Sequence, residues 1–180
     1  NFYPFTQEIA VKVKKRSKNK AELFLGFIEE GYLYDDMYAD VVTSDVSKLC
    51  YTQFFEKLLS LKDDEAILWH CSAGKDRTGI TSLLVMEVLG VPKNDCIENF
   101  MLSDKILMPE INEILSLVKN YTDDPKVISG CRILAGVDKF YIDRLYEKAE
   151  KYYGSVRNLV IQRFGVTERD IEILKKRYLK

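Results

Sequence analysis

The chain has 180 residues, 47% of them hydrophobic and 31% charged, and its 27 basic residues nearly balance its 28 acidic residues. This composition is ordinary for a globular protein with one sizeable core, so we expect a single domain over residues 1–180. A net charge of −1 gives no general attraction to nucleic acid or membranes, and no apolar run is long enough to span a bilayer. We therefore expect neither a nucleic-acid partner nor stable insertion into a membrane.

The cysteines argue against a metal centre and against a disulfide framework. Cys50, Cys71, Cys96 and Cys131 are widely spaced, and the chain contains one histidine, His70. We expect no metal or other cofactor, and a reducing compartment such as the cytoplasm. The sequence begins with asparagine instead of methionine. Secretion after removal of a leader therefore stays an alternative.

The first predicted element is a strand over residues 8–14. Ile9, Val11 and Val13 alternate there with polar or small residues, which is the period of a half-buried strand. A basic run follows, from residue 12 to residue 20. Such basic runs are usually solvated loops. The alternative interpretation is that the run steers an anionic substrate or lipid toward the site.

The later elements are predicted to be helices, from the spacing of apolar residues and from glycines and prolines at their ends. They cover roughly residues 21–30, 48–61, 78–89, 95–103, 109–120 and 137–153, and a last helix starts at a capping-box-like Thr167.

Residues 66–79, AILWHCSAGKDRTG, are the most informative stretch. The apolar run at 67–69 is typical of a buried strand, and Thr78 opens a helical pattern, so a strand-to-helix loop lies between them. Inward-pointing N–H groups in such a loop make an anion site, which the helix N-terminus reinforces. Gly74 is where the backbone can take a positive φ. The strand-to-helix pattern and the predicted helices together indicate an α/β fold. We expect a central, mostly parallel sheet that ends at the loop, helices on both faces of the sheet, and a helix-rich C-terminal half.

Cys71 and Arg77 give this loop its chemistry. Loop amides and the helix dipole favour a thiolate at Cys71. The planar guanidinium of Arg77 matches two oxygens of a phosphoryl group. A thiolate beside a bound phosphate predicts covalent catalysis through a cysteinyl-phosphate. The expected substrate-binding residues are Ser72, Ala73, Gly74, Lys75, Asp76 and Arg77.

Four neighbours have candidate supporting roles. His70 would hold the loop backbone, and the Thr78 hydroxyl would stabilise the sulfur as a leaving group; the alternative for both is an ordinary buried polar group. Lys75 adds a cation for a ligand with more than one phosphate. Asp76 either transfers protons to and from the reacting oxygens or anchors the loop.

Two other loop chemistries fit less well. A nucleotide-binding loop needs glycine where Trp69 stands and Ser or Thr where Asp76 stands. Enzymes of the rhodanese or arsenate-reductase type also use a loop cysteine, but the spacing to Arg77 and the hydroxyl of Thr78 favour phosphoryl transfer.

The motif from His70 to Gly79, His-Cys-x-x-Gly-Lys-Asp-Arg-Thr-Gly, resembles the signature of the cysteine-dependent tyrosine phosphatases. The Lys-Asp pair resembles the atypical bacterial branch, which includes the tyrosine phosphatase B-like and LipA-like enzymes. The resemblance implies metal-independent hydrolysis of phosphotyrosine proteins, in some members also of phosphoserine, phosphothreonine or phosphoinositides. It also implies that Asp76 is the general acid. Segments 102–121 and 131–153 are candidates for a lid over the site by the same resemblance, but ordinary helix packing is the favoured interpretation of both segments.

The chain departs from that branch in lacking an upstream Arg-Asp-x-Gly-Gly segment. Either the chain is N-terminally shortened or this member differs there. The wider superfamily takes its acid from a loop upstream of the cysteine, which makes Asp35, Asp36, Asp40 and Asp45 alternatives to Asp76. They lack the aromatic-Pro-Asp context of that loop. The alternative function is a catalytically silent pseudophosphatase that binds phosphorylated ligands.

Overall fold

The computed structural model describes residues 4–179. Over this range the chain forms ten α-helices and no β-strand. The helices are α1 (Pro4–Arg16), α2 (Lys20–Glu29), α3 (Met37–Thr43), α4 (Asp45–Ser60), α5 (Asp76–Leu89), α6 (Lys93–Val118), α7 (Pro125–Ala135), α8 (Lys139–Tyr153), α9 (Val156–Phe164) and α10 (Glu168–Tyr178).

The prediction of an α/β fold with a central, mostly parallel sheet is wrong for the described residues. The apolar run at 67–69 has no regular secondary structure, and no strand lies beside it within residues 4–179. Leu68 is 87% exposed, whereas Ile67 and Trp69 are half-buried. An apolar run becomes a strand only when a neighbouring strand completes its hydrogen bonds, and a single sequence does not show whether that neighbour exists.

The predicted strand over residues 8–14 is part of helix α1. Ile9 and Val13 are buried, but Val11 between them is 50% exposed. Three alternating apolar residues fit a two-residue period and also place the first and third on one helix face, four positions apart. The burial pattern shows that the helical period is the correct one.

The two helices predicted at 95–103 and 109–120 are one continuous helix, α6, with Pro109 inside it. Proline lacks the N–H that would bond the carbonyl four residues earlier, so it usually ends a helix. Here Pro109 and Lys105 both lie on the exposed side of α6, where water can satisfy the freed carbonyl. The other predicted helices are present, with ends shifted by a few residues.

Helix α5 begins at the central loop and runs through the larger core. Ile80, Leu83, Leu84 and Val88 are buried along it, where it packs against α3, α6, α9 and α10. At its first turn Gly79 permits close approach to α6, because a Cβ there would lie 2.7 Å from the Phe100 ring. The loop before α5 is therefore fixed to a rigid scaffold at its C-terminal end.

A smaller core joins α2, α6 and α7. Its buried residues include Ala21, Ile111, Ile114, Val118 and Cys131. The local signals predicted at helix ends are present: Gly90, Gly154 and Gly165 take left-handed conformations after α5, α8 and α9, and Thr167 with Asp170 forms a capping box. None of the helices in the described part of the chain is both long and apolar enough to cross a bilayer.

Candidate active site

The central loop runs from Cys71 to Lys75 and passes directly into α5, whose first residue is Asp76. Gly79 N donates a hydrogen bond to the Lys75 carbonyl at 2.8 Å, so the helical pattern starts immediately after the loop. Gly74 has φ +69°, and a Cβ built there would meet nothing within 4 Å. This glycine is required by the left-handed backbone conformation and not by lack of space.

Backbone and side-chain donors converge on the sulfur of Cys71. Its partial burial raises the pKa of the thiol, but four hydrogen bonds act in the opposite direction and prevail. They come from the Thr78 hydroxyl and from the amides of Thr78, Ala73 and Gly74. The pKa of Cys71 therefore lies below its usual value, which makes a thiolate nucleophile available at lower pH.

The Thr78 hydroxyl is buried and has no other hydrogen-bond partner in the described part of the chain, so it is available to the Cys71 sulfur. Its proximity lowers the pKa of that thiol. A hydroxyl in this position can also stabilise the sulfur when it leaves a phosphorus atom, as the sequence suggested.

Arg77 is half-buried in the first turn of α5. Within residues 4–179 its guanidinium forms no ion pair and no hydrogen bond. A buried or half-buried arginine is normally paired with an acid, so this guanidinium can bind an anionic ligand without first breaking an internal contact.

Two concave spaces meet at Arg77. Cys71 and Thr78 line a cavity of about 230 Å³, whose walls include Tyr51, Phe54 and Trp69. The second space is a groove of about 400 Å³ with a largely apolar lining. Its lining includes Ser72, Ala73 and Lys75 of the loop and Asp76 and Arg77 of α5. The loop is thus reached from both spaces, and Arg77 lines both of them.

Asp76 and Lys75 interact with each other at the start of α5. The Lys75 ammonium lies 3.3 Å from Oδ1 and 3.2 Å from Oδ2 of Asp76. It is 7% exposed and also donates hydrogen bonds to the carbonyls of Leu134 at 2.8 Å and Gly136 at 2.5 Å. Lys75 therefore ties the loop to the end of α7 and keeps a positive charge beside the Asp76 carboxylate.

His70 and Trp69 lie on the approach to the loop. His70 is exposed, and its Nδ1 lies 3.3 Å from the Cys71 carbonyl. Trp69 packs edge-on against Phe54 and donates from its indole nitrogen to the Ser82 hydroxyl at 3.3 Å. Trp69 thus connects the chain before the loop to α4 and α5. Among the described residues no group of three histidines, cysteines or acids is placed to hold a metal ion.

A model of a tyrosine phosphatase family matches residues 6–180, almost the whole chain. The chain belongs to the tyrosine phosphatase family. The family resemblance of the loop motif is therefore confirmed. The chain is 42% identical over 53 residues to a tyrosine-protein phosphatase of Nostoc commune, an overlap of 29% of this chain and 18% of that protein.

A second relative of this tyrosine phosphatase chain is a Cupriavidus necator protein named "Putative tyrosine-protein phosphatase". It is 30% identical over 115 residues, which cover 64% of this chain and 40% of the relative. The chain thus aligns with less than half the length of either curated relative.

The upstream acids of this tyrosine phosphatase family member either have partners outside the loop or lie at the surface. Asp36 forms ion pairs with Arg144 and Lys148, each at 2.9 Å, and these cations hold its pKa below the usual range. Asp40 accepts a hydrogen bond from Tyr34 at 3.0 Å. Asp45 is exposed in the first turn of α4, 3.6 Å from Arg163, and Asp35 is exposed.

Two tyrosines that the sequence analysis did not select lie at the site. The Tyr38 hydroxyl donates a short hydrogen bond to Oδ1 of Asp76. Burial raises the pKa of Tyr32, and the nearby charges of Asp76 and Cys71 act in the same direction. The signal in the sequence is the concentration of tyrosines between residues 32 and 38, beside the acids Asp35 and Asp36.

Proposed function

We propose that this chain hydrolyses phosphotyrosine in proteins through a cysteinyl-phosphate intermediate, without a metal ion. The observation that carries the proposal is the set of donors around Cys71: three amides and one hydroxyl lower the pKa of this thiol. The same cavity is lined by the Arg77 guanidinium, which forms no ion pair within residues 4–179. Such a site combines a nucleophile with preorganised donors for phosphoryl oxygens.

In the first step the Cys71 sulfur attacks phosphorus and the bond from phosphorus to the tyrosine oxygen breaks. Asp76, which lines the groove beside Arg77, gives its proton to the leaving oxygen. Arg77 and the loop amides hold the non-bridging oxygens as charge redistributes over them.

In the second step water attacks phosphorus, its proton passes to Asp76, and the bond from sulfur to phosphorus breaks. The hydrogen bonds from Thr78 and the loop amides stabilise the thiolate that leaves. Inorganic phosphate departs, and Asp76 again carries a proton for the next cycle. The upstream acids are engaged in ion pairs, in hydrogen bonds or at the surface, which supports Asp76 as the proton donor.

The groove beside the loop supports an aromatic phosphoester as the first substrate. Phe24, Phe27, Tyr34 and Met37 contribute to its apolar lining, against which a tyrosine ring can pack. Lys75 is engaged by two carbonyls, and Lys20 at the groove is paired with Glu110 and Glu113. The apolar lining favours phosphotyrosine, whereas Lys14, which also lines the groove, keeps phosphoinositides as secondary candidates together with phosphoserine and phosphothreonine.

The decisive experiment measures turnover of a small aryl phosphate by the parent chain and by Cys71→Ser. We expect the variant to lose roughly 10⁴-fold or more in kcat while it retains substrate binding. Cys50→Ser, a matched change in α4 outside the loop, should retain full turnover. Turnover of Cys71→Ser at the parent rate overturns the mechanism, whereas binding of the aryl phosphate by a parent chain that forms no product identifies a pseudophosphatase.

A panel of phosphopeptides and soluble phosphoinositides, assayed with the same variants, tests the substrate class. We expect the highest kcat/KM on phosphotyrosine peptides. A higher value on phosphoinositides than on every phosphopeptide contradicts the proposed substrate order and leaves the chemistry of Cys71 intact.

A further inference from the structure

Asp76 carries two contacts of different kinds, and only one of them distinguishes its two oxygens. The Lys75 ammonium lies at nearly equal distances, 3.3 Å and 3.2 Å, from Oδ1 and Oδ2. The Tyr38 hydroxyl, in contrast, donates to Oδ1. Tyr38 therefore makes the two oxygens of the carboxyl group inequivalent, whereas Lys75 interacts with both oxygens almost equally.

The Tyr38 ring is held firmly by the larger core. It lies in α3, is 3% exposed, and packs against Phe100 and Tyr141 with ring centroids 5.6 Å and 5.7 Å away. A ring fixed on these sides presents its hydroxyl in one direction. The hydroxyl consequently acts as a rigid donor toward a carboxyl group that belongs to the start of another helix, α5.

Tyr38 and Asp76 face the same groove as the loop residues Ser72, Ala73 and Arg77. Arg77 also lines this groove, so the leaving group of a phosphoester bound by its guanidinium can extend along the groove toward Asp76. When Oδ1 accepts the hydrogen bond of Tyr38, the proton of a neutral Asp76 carboxyl belongs on Oδ2, which is then the oxygen that can donate. The hydrogen bond from Tyr38 thus selects the oxygen from which the proton leaves.

We propose that Tyr38 is a positioning residue for proton transfer: its hydroxyl holds Oδ1 of Asp76 so that Oδ2 delivers the proton to the leaving oxygen. This inference rests on the proposed function, because it requires Asp76 to be the general acid. Tyr38 itself exchanges no proton with the substrate. In the first step the proton moves from Oδ2 to the ester oxygen, and in the second step Oδ2 receives a proton from water.

The test compares aryl phosphates whose leaving groups differ in acidity. With a poor leaving group such as phenol, Tyr38→Phe should lower kcat by about 10-fold, which corresponds to one lost hydrogen bond to a charged group, with little change in KM. With a good leaving group such as p-nitrophenol, which departs without protonation, kcat should change by less than about twofold.

Two further variants separate positioning from structure. Tyr141→Phe removes a hydroxyl from the ring beside Tyr38, with no hydrogen bond to Asp76, and should leave both substrates unaffected. In an Asp76→Asn background, the addition of Tyr38→Phe should cause no further loss on phenyl phosphate, because both changes act on the same proton transfer.

The outcomes distinguish this inference from the proposed function. If Asp76→Asn slows both substrates equally, Asp76 is not the acid, and the role of Tyr38 is rejected together with it. If Asp76→Asn selectively slows phenyl phosphate but Tyr38→Phe slows both substrates equally or neither, only the positioning role is overturned. Persistence of the Tyr38→Phe effect in the Asp76→Asn background also overturns it.

Discussion

Cys71 is half-buried in the central loop and Cys96 is buried in the larger core, yet their thiol pKa values move in opposite directions. Burial raises the pKa of Cys96 to about 11, and the nearby charge of Glu87 acts in the same direction. Burial also raises the pKa of Cys131, in the smaller core, to about 11. At Cys71 the same effect is outweighed by three amides and one hydroxyl. Reactivity in this chain is therefore determined by the donors around the sulfur and not by access alone.

The largest effect is expected when the cation beside Cys71 is removed, because that cation would stabilise negative charge in the transition state. Arg77→Ala should lower kcat on an aryl phosphate by roughly 10³-fold, because the guanidinium that meets the phosphoryl oxygens is lost. Alkylation of Cys71 should stay fast, since its donors remain. Arg157→Ala is the control: it removes an exposed ion pair with Glu168 between α9 and α10. A decrease of only a few-fold for Arg77→Ala would contradict the assigned role.

The thiols themselves can be compared by labelling with iodoacetamide and mass spectrometry. A pKa of about 11 leaves roughly one thiolate in 10⁴ at pH 7 for Cys96 and Cys131, so Cys71 should react more than about 10-fold faster than either. Because the pKa of Cys71 is lowered, its labelling rate should rise with pH and level off at a lower pH than that of glutathione. Equal pH profiles for Cys71 and glutathione would show that the donors do not act on the sulfur.

The contribution of one donor is measured by Thr78→Val, which keeps the shape of the side chain and removes its hydroxyl. We expect the labelling curve of Cys71 to move to higher pH and kcat at pH 6 to fall about three- to tenfold, because one hydrogen bond to the thiolate is lost. Thr43→Val, which removes a hydroxyl bonded to the Ala39 carbonyl within α3, should change neither measurement. An unshifted labelling curve for Thr78→Val would remove this hydroxyl from the mechanism.

The smallest kinetic effect is expected from Cys131→Ser, the same substitution that we expect to abolish turnover at Cys71. The new hydroxyl lies in a fully buried apolar environment, so urea unfolding should show a loss of about 1–2 kcal/mol in stability. Turnover of the folded protein should stay within about twofold. Full retention of stability would mean that the smaller core accommodates a polar group at this position.

The residues assigned to catalysis could be selected from the sequence because they are nearly contiguous. Cys71, Gly74, Arg77 and Thr78 lie within one turn-and-helix segment, where local backbone rules determine how donors are arranged. Two local features match what the sequence predicts: loop amides converge on the Cys71 sulfur, and Gly74 has a positive φ. The catalytic roles of these residues stay predictions until the variants are measured.

Features that depend on distant parts of the chain could not be predicted in the same way. The strand expected at 67–69 needed a partner that no local pattern supplies, and Leu68 is exposed instead. Helix α1 was mistaken for a strand because Ile9, Val11 and Val13 fit both periods. Tyr38 was missed because it lies 38 residues before Asp76, and only the packing of α3 against the start of α5 brings the two together.

The bonds from the Lys75 ammonium to the carbonyls of Leu134 and Gly136 connect the loop to the helix that closes the smaller core. Arg132 and Asp104 hold the end of that helix, with two bonds between them and a third from Val137 N to Asp104. Loosening of α7 would therefore release the loop while the larger core is still folded. Substitutions that loosen α7 should accordingly be felt at the central loop, although α7 contributes nothing to the walls of the Cys71 cavity.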